Sequence, residues 1–173
     1  MAGMKKIALH WTAGSYSQDY LDFTHYHFTV GKDGMVLGGK FPPEANIPGP
    51  TGLQNGHYAA HCGGGNSYCI GVALRGMADY KSPSEVGQYP LTEKQFESGC
   101  ALIAKLCHEN GIQVSPATVF THYEFGKLHP QTESAGKIDI TFLTFKPELA
   151  ADQVGDYMRG KVEWYLQKME AGL

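Results

Sequence analysis

Apolar residues in this chain fall into short continuous runs and into two segments with the periodicity of an amphipathic helix. The run Cys69–Leu74 (CIGVAL) is apolar throughout, which predicts a central strand covered on both faces. The turn signal Gly-Lys-Asp-Gly at 31–34 predicts a hairpin between residues 25–30 and 35–37. Two other segments, 5–12 and 118–122, also have the pattern of strands.

One such helix is predicted to begin at Thr92 and Gln95, which have the spacing of a capping box, and to end near Gly111. Its core-facing stripe has four members: Phe96, Cys100, Ile103 and Cys107. A second amphipathic helix is predicted over about residues 148–169, with Val154, Met158, Val162 and Tyr165 on one face.

Residues 40–66 contain four of the nine prolines and few periodic apolar positions, so they are predicted to form a long functional loop. The pattern predicts an α/β fold with one central mixed β-sheet flanked by helices. We expect a single domain over residues 1–173, with its core in about 5–145, which suits a chain of 18.9 kDa.

Net charge and hydropathy exclude some functions. A formal charge of −3 and a pI near 6.2 argue against a nucleic-acid binder. No segment has the roughly 20 apolar residues that span a bilayer, so no membrane insertion is expected. The apolar stretch before His10 is too short for a secretory signal. We therefore expect synthesis in the cytoplasm without a signal peptide, followed by release through another route.

The four cysteines are predicted to be buried free thiols. Cys100 and Cys107 lie two helical turns apart, roughly 10 Å between Cα atoms. That distance is too long for a disulfide within the pair.

Three residues that end or follow short hydrophobic segments suggest metal chemistry. His10, His122 and Asp139 offer two imidazoles and one carboxylate, a ligand set suited to a catalytic zinc with a fourth position for water. They are 112 and 17 residues apart in sequence order, so only the fold could bring them together. Their spacing excludes a local zinc-finger or HExxH site.

A competing metal cluster has two imidazoles and two thiolates within 13 residues: His57, His61, Cys62 and Cys69. It could close a structural zinc site. However, Cys69 begins the apolar strand, His61 and Cys62 are adjacent, and the CxxC spacing of zinc knuckles is absent. We therefore favour the first set.

Several motifs occur in the order found in one enzyme family. They are HWTA at 10–13, YHFTV at 26–30 with KDG at 32–34, AH at 60–61 before Asn66, IGV at 70–72, LT at 91–92, TH at 121–122 and KID at 137–139. In these motifs the chain resembles the zinc-dependent N-acetylmuramoyl-L-alanine amidases. That family includes phage lysis amidases, bacterial muropeptide-recycling amidases and animal peptidoglycan recognition proteins.

The resemblance implies a mixed sheet with a groove that carries Zn²⁺ and binds peptidoglycan. By position, the metal ligands would be His10, His122 and Asp139, the catalytic side chains Tyr26 and Lys137, and the substrate-binding residues Trp11, His61 and Asn66. The chain departs from the family pattern twice: Ile140-Thr141 stands where proline is usual, and segment 123–136 is unusually long.

Two polar residues near these motifs are assigned other roles. Glu124 lies two residues after His122 and could act as a general base, although a solvated loop carboxylate is the favoured interpretation. His27 alternates with Tyr26 along the chain and is expected to pack or hydrogen-bond structurally.

The leading functional hypothesis is a phage-type lysis enzyme (endolysin) that cleaves the amide between N-acetylmuramic acid and L-alanine. It would be a monomer and would depend on a holin-like partner for release. The alternatives are a cytoplasmic muropeptide-recycling amidase and a non-catalytic peptidoglycan-binding protein.

Overall fold

The computed structural model describes residues 3–172, so Met1, Ala2 and Leu173, which belong to the predicted domain, lie outside the described part. Its elements are, in chain order, β1 (Lys6–Trp11), α1 (Tyr20–His25), β2 (Phe28–Val30), β3 (Val36–Gly38), a 3-10 helix (Pro43–Asn46), β4 (Cys69–Leu74), α2 (Glu93–Asn110), β5 (Val119–Thr121), α3 (His122–Leu128) and α4 (Ala151–Glu170).

The strands form one five-stranded sheet in the order β3-β2-β4-β1-β5. β4 pairs in parallel with β1 and β2, and β5 pairs in parallel with β1, whereas β3 is antiparallel to β2. The predicted mixed sheet and the predicted hairpin are therefore confirmed. Because four strands are parallel, their carboxyl ends lie at the same edge of the sheet, where open α/β folds bind ligands.

The two faces of the sheet differ in the size of their side chains. On one face Ile7 and Leu9 of β1 join Ile70, Val72 and Leu74 of β4 in the main core, which also contains the apolar stripes of α2 and α4. The other face carries small residues, among them Ala8, Cys69 and Gly71. His10 lies on this second face, where the small neighbours leave room for imidazole rings.

Several predicted boundaries are confirmed. All six residues of β4 are buried, as a central strand requires. Thr92 and Gln95 form the expected capping box, and α2 ends at Gly111, whose φ of 65° is the left-handed conformation that glycine favours. The four cysteines are buried free thiols. Among residues 3–172, no helix is long and apolar enough to cross a membrane.

Two predicted boundaries are wrong. Residues 25–30 do not form one strand, because Asp19 and Asp22 make a capping box that starts α1, and α1 extends to His25. Strand β2 therefore begins only at Phe28. The last helix begins at Ala151 rather than near Glu148, since the Gln153 side chain accepts a hydrogen bond from the Ala150 N–H and fixes the start there.

Candidate metal centre

Two adjacent parallel strands bring His10 and His122 together. His10 is the second-last residue of β1, and its neighbour Leu9 pairs with Thr121, the last residue of β5. Thr121 and Glu124 then form a capping box that turns the chain directly into α3. His122 is therefore the first residue of a helix rather than the last residue of a strand, a correction of one position.

The side chains of His10, His122 and Asp139 converge on one point. The two Nδ1 atoms lie 3.1 Å apart, and Asp139 Oδ2 lies 3.1 Å from Nδ1 of His10 and 3.2 Å from Nδ1 of His122. Ligand atoms about 2.0–2.1 Å from a tetrahedral zinc are separated by roughly 3.3 Å. The donor set and its spacing therefore fit a zinc ion with one position left for water.

Within residues 3–172 this is the one group of three or more histidine, cysteine, aspartate or glutamate side chains close enough to hold a metal ion. The competing cluster of His57, His61, Cys62 and Cys69 does not assemble. His57 is exposed on a separate surface loop, and Cys69 packs in a small apolar cluster with Cys62, Phe120 and Phe125.

The electrostatics of the centre favour a cation. Burial lowers the pKa of His10 to about 4, with the neighbouring Asp139 carboxylate opposing the shift and the charges of His122 and Lys137 adding to it. His10 is therefore neutral near pH 7, as a metal ligand must be. Burial opposes ionisation of Asp139, yet the adjacent imidazoles hold the pKa of this carboxyl well below its usual range. The position between the three side chains attracts positive charge.

The centre lies in a cleft of about 430 Å³. Its lining includes two of the three predicted ligands (His122 and Asp139), both predicted catalytic residues (Tyr26 and Lys137), and two of the three predicted substrate residues (Trp11 and His61). The third predicted ligand, His10, is fully buried behind them. Ala13, Met77 and Asp79 also line this cleft, each with a positive φ of 60–72°. Such strained backbone is concentrated at functional sites.

Tyr26 lies between α1 and β2, and its ring centroid is 5.2 Å from that of His10. Burial and the negative charge of Asp139 raise the pKa of Tyr26 well above its usual range, so its hydroxyl keeps its proton at neutral pH. Lys137 is exposed at the wall of the cleft, and its charge is the smallest of the causes that lower the pKa of His10. The cleft thus offers the Tyr26 hydroxyl and the Lys137 ammonium beside the predicted ligands.

The three predicted substrate residues occupy different environments. Trp11 is 4% exposed and packs edge-on against Tyr80, so only a small part of its ring reaches the cleft. Both ring nitrogens of His61 have partners inside the protein, His10 and the Cys69 carbonyl. Asn66 Oδ1 accepts hydrogen bonds from the N–H groups of His61 and Cys62. Their roles in substrate binding stay predictions.

Two residues near the centre were missed by sequence reasoning or assigned differently. Ser134 is fully buried and lies 2.9 Å from Nε2 of His122. Nothing in the local pattern marks this serine, because its role depends on the folded path of segment 123–136. Glu124 is not a solvated loop carboxylate: it caps α3 and forms a bidentate ion pair with Arg159. The Thr-x-x-Glu spacing at 121–124 is the signal that could have identified it.

Replacing Arg159 with leucine is expected to lower the free energy of unfolding by about 3 kcal/mol, because Glu124 would lose its partner in a largely buried setting. Arg159 is 7% exposed and also donates to the Val119 carbonyl, so it ties β5 and α3 to α4. Urea denaturation measures the change. Asp156→Ala removes an exposed partner of the same guanidinium and should cost less than about 1 kcal/mol. Equal losses in both variants would contradict this role of the Arg159–Glu124 pair.

Comparisons with known proteins bear on the identity of the chain. Residues 2–137 match the family model described as N-acetylmuramoyl-L-alanine amidase. No protein of curated function matches the sequence. The N-acetylmuramyl-L-alanine amidase AmiD from E. coli has a similar fold, with a TM-score of 0.52 and 15% identity over 80% of this chain and 53% of AmiD.

Two further solved structures are similar over much of their length. The amidase LysC from Clostridium intestinale URNW is 19% identical over 70% of this chain and 71% of its own, with a TM-score of 0.45. The Ph2119 endolysin from a Thermus scotoductus bacteriophage is 19% identical over 79% of this chain and 88% of its own, with a TM-score of 0.46.

The family match covers well over half of the chain, and it confirms both the resemblance and the enzyme class inferred from the short motifs. It stops two residues before Asp139, so the third ligand position rests on the geometry of the cleft rather than on the match. The chain belongs to the N-acetylmuramoyl-L-alanine amidase family.

Proposed function

We propose that this chain is a zinc amidase that cleaves the bond between the lactyl group of N-acetylmuramic acid and L-alanine, and that it acts as a phage-type lysis enzyme. One observation carries the proposal: Nδ1 of His10, Nδ1 of His122 and Oδ2 of Asp139 converge to 3.1–3.2 Å in an open cleft. These three residues would hold the zinc. Bound zinc polarises a carbonyl and lowers the pKa of its water toward about 7.

The side chains of the cleft supply the remaining chemistry. The Lys137 ammonium, at the cleft wall, stabilises the negative charge that develops on the carbonyl oxygen. Tyr26 keeps its hydroxyl proton, so it can orient the attacking water and donate a hydrogen bond toward the leaving amine. Trp11, His61 and Asn66 stay candidates for substrate contacts, although only a small part of the Trp11 ring reaches the cleft.

The proposal is tested by mass analysis of purified peptidoglycan after digestion. The expected products are peptides with a free L-alanine amino terminus and glycan strands without peptide. Removal of the metal with a chelator should abolish the release, and added zinc should restore it. Products cut within the glycan or within the peptide would contradict the proposal, and so would a chelator-resistant activity.

Tyr26→Phe is expected to keep the bound zinc but to lose most of the activity, roughly 10²-fold, because it removes only the hydroxyl donor. Steady-state hydrolysis of a muropeptide, with zinc measured by elemental analysis, checks this. Tyr80→Phe, which alters another hydroxyl of the same cleft, is the matched control. Full activity in Tyr26→Phe would remove Tyr26 from the mechanism.

A recycling amidase is the second candidate. The two roles separate by substrate: a lysis enzyme clears suspensions of outer-membrane-permeabilised cells, whereas a recycling enzyme hydrolyses only small anhydro-muropeptides. A non-catalytic binding protein would release no peptide, and the complete ligand set disfavours it. Dependence on a holin-like partner and a monomeric state remain predictions.

A further inference from the structure

The outer ring nitrogen of each ligand histidine is held by a hydrogen-bonded chain inside the protein. Nε2 of His10 lies 3.0 Å from Nδ1 of His61, and Nε2 of His61 lies 3.0 Å from the Cys69 carbonyl oxygen. Nε2 of His122 lies 2.9 Å from Ser134 Oγ, which lies 2.8 Å from the Gly63 carbonyl oxygen. Both chains end at a backbone carbonyl.

The carbonyl at the end of the first chain fixes its direction. A carbonyl oxygen can only accept, so His61 Nε2 must carry the proton and donate to Cys69. His10 is fully buried and His61 is 6% exposed, which favours neutral rings. A neutral His61 that donates from Nε2 has a bare Nδ1, which accepts from the N–H at Nε2 of His10. Nδ1 of His10 is then left with its lone pair directed at the metal centre.

The hydrogen bonds of the second chain run in the same direction, from the ligand histidine to a backbone carbonyl. The Ser134 hydroxyl has one proton and donates it to the Gly63 carbonyl, so its oxygen is an acceptor for Nε2–H of His122. In the neutral ring, which a metal ligand requires, Nδ1 of His122 therefore also keeps a free lone pair. Together with Asp139 Oδ2, three acceptor atoms lie within 3.1–3.2 Å of one another and have no proton of their own to share.

We propose that the loop His61–Asn66, with Ser134 docked on it, selects the ring tautomer of both metal ligands, so that His10 and His122 each present a bare Nδ1 to the metal. This inference rests on the zinc centre proposed above. His61 and Ser134 are positioning residues in it. They act through His10 and His122 and do not touch the reacting atoms.

The packing around the loop leaves little freedom for these contacts to change. A side chain at Gly71 would place its Cβ 2.5 Å from Cγ of His61, so only glycine leaves room for that ring against β4. A Cβ at Gly63 would lie 2.8 Å from Cβ of Glu133, and one at Gly65 would lie 2.6 Å from the Phe125 ring. The long segment 123–136 is thus pressed onto the loop, and this contact carries Ser134 to His122.

Zinc affinity should depend on both chains. Outer-shell partners of a metal-bound histidine fix its tautomer and orientation, and their loss typically weakens metal binding about 10–100-fold. His61→Phe removes the acceptor for His10 but keeps a ring in the same space. Ser134→Ala removes the acceptor for His122. We expect each variant to bind zinc about 10–100-fold more weakly in competition with a chelator.

Nitrogen-15 NMR of the wild-type protein, recorded before and after zinc is added, tests the tautomers directly. The expected result is a proton on Nε2 of both His10 and His122, and a scalar coupling through the hydrogen bond between His10 Nε2 and His61 Nδ1. In His61→Phe the His10 Nε2 proton should exchange rapidly while that of His122 stays protected, and Ser134→Ala should give the reverse. The measurement on the wild-type protein tests the inference even if a variant fails to fold.

His27 provides the matched control. It is 1% exposed and hydrogen-bonded through both ring nitrogens, to Asn46 and to the Gly71 N–H, but to neither ligand. His27→Phe should leave zinc affinity within about threefold of wild type. Protons on Nδ1 of either ligand, or equal affinity in wild type, His61→Phe and Ser134→Ala, would overturn the inference. A protein with the expected tautomers that fails to cleave peptidoglycan would overturn the proposed function alone.

Discussion

Asp139→Asn is expected to lower zinc affinity by more than about 100-fold, beyond the loss typical of an outer-shell contact, and to lower hydrolysis with it. Asp139 is the one anionic member of the set, and its Oδ2 contacts Nδ1 of both histidines. Asparagine keeps the shape of the side chain and removes the charge. The remaining donors, two neutral imidazoles and an amide oxygen, hold a divalent cation far less strongly.

The measurement is zinc content after dialysis against buffered zinc, together with the rate of muropeptide hydrolysis. Asp152→Asn is the matched control, because Asp152 is an exposed carboxylate on α4 that pairs with Lys127, and neither residue lines the cleft. His122→Ala should behave like Asp139→Asn. Unchanged zinc stoichiometry in both would contradict the ligand assignment.

The convergence of His10, His122 and Asp139 could be predicted from the sequence because these residues stand near the ends of strands and motifs. His10 lies near the end of an apolar strand, and the parallel pairing of β1 with β4 and β5 places that end beside His122. Strand β4 and helix α2 were also predictable, since a continuous apolar run and a capping box are local signals. The distances between these side chains could not be predicted from the sequence, because they depend on the pairing of strands more than 100 residues apart.

Competition between strand propensity and helix capping explains why the start of β2 and the end of β5 were predicted wrongly. The aromatic segment 25–30 has strand propensity, but the capping box of Asp19 and Asp22 starts a helix that extends to His25. In the same way Thr121 and Glu124 start α3 immediately after β5. A short helix of six or seven residues has too few apolar positions to show a helical period, so only its cap is visible in the sequence.

The residues that hydrogen-bond to the ligand histidines could not be predicted from the sequence, for a different reason. His61 was expected to contact substrate, yet its two ring nitrogens are engaged by His10 and the Cys69 carbonyl. Neither contact leaves a local pattern. Ile140, where the family usually has proline, adopts a φ of 63° that proline, fixed near −65°, cannot adopt. The turn after Asp139 therefore differs from the family pattern in its backbone as well as in its sequence.

Lys137→Ala is expected to lower kcat about 10²–10³-fold, equivalent to roughly 3–4 kcal/mol of transition-state stabilisation, with zinc content unchanged. The ammonium lies at the cleft wall and acts on His10 through its charge, but it contacts none of the three ligand atoms. Its loss should therefore affect the charge that develops during the reaction rather than the binding of metal.

The comparison of three lysine variants separates charge from geometry. Lys137→Arg keeps the positive charge on a wider, planar group, so an intermediate rate is expected. Lys127→Ala removes an exposed lysine of a neighbouring segment, which forms an ion pair with an exposed carboxylate, and should leave the rate within about twofold. A Lys137→Ala enzyme as fast as the Lys127→Ala enzyme would exclude the ammonium from the reaction. Because zinc content is measured on the same samples, a lost ligand could not be mistaken for a lost charge.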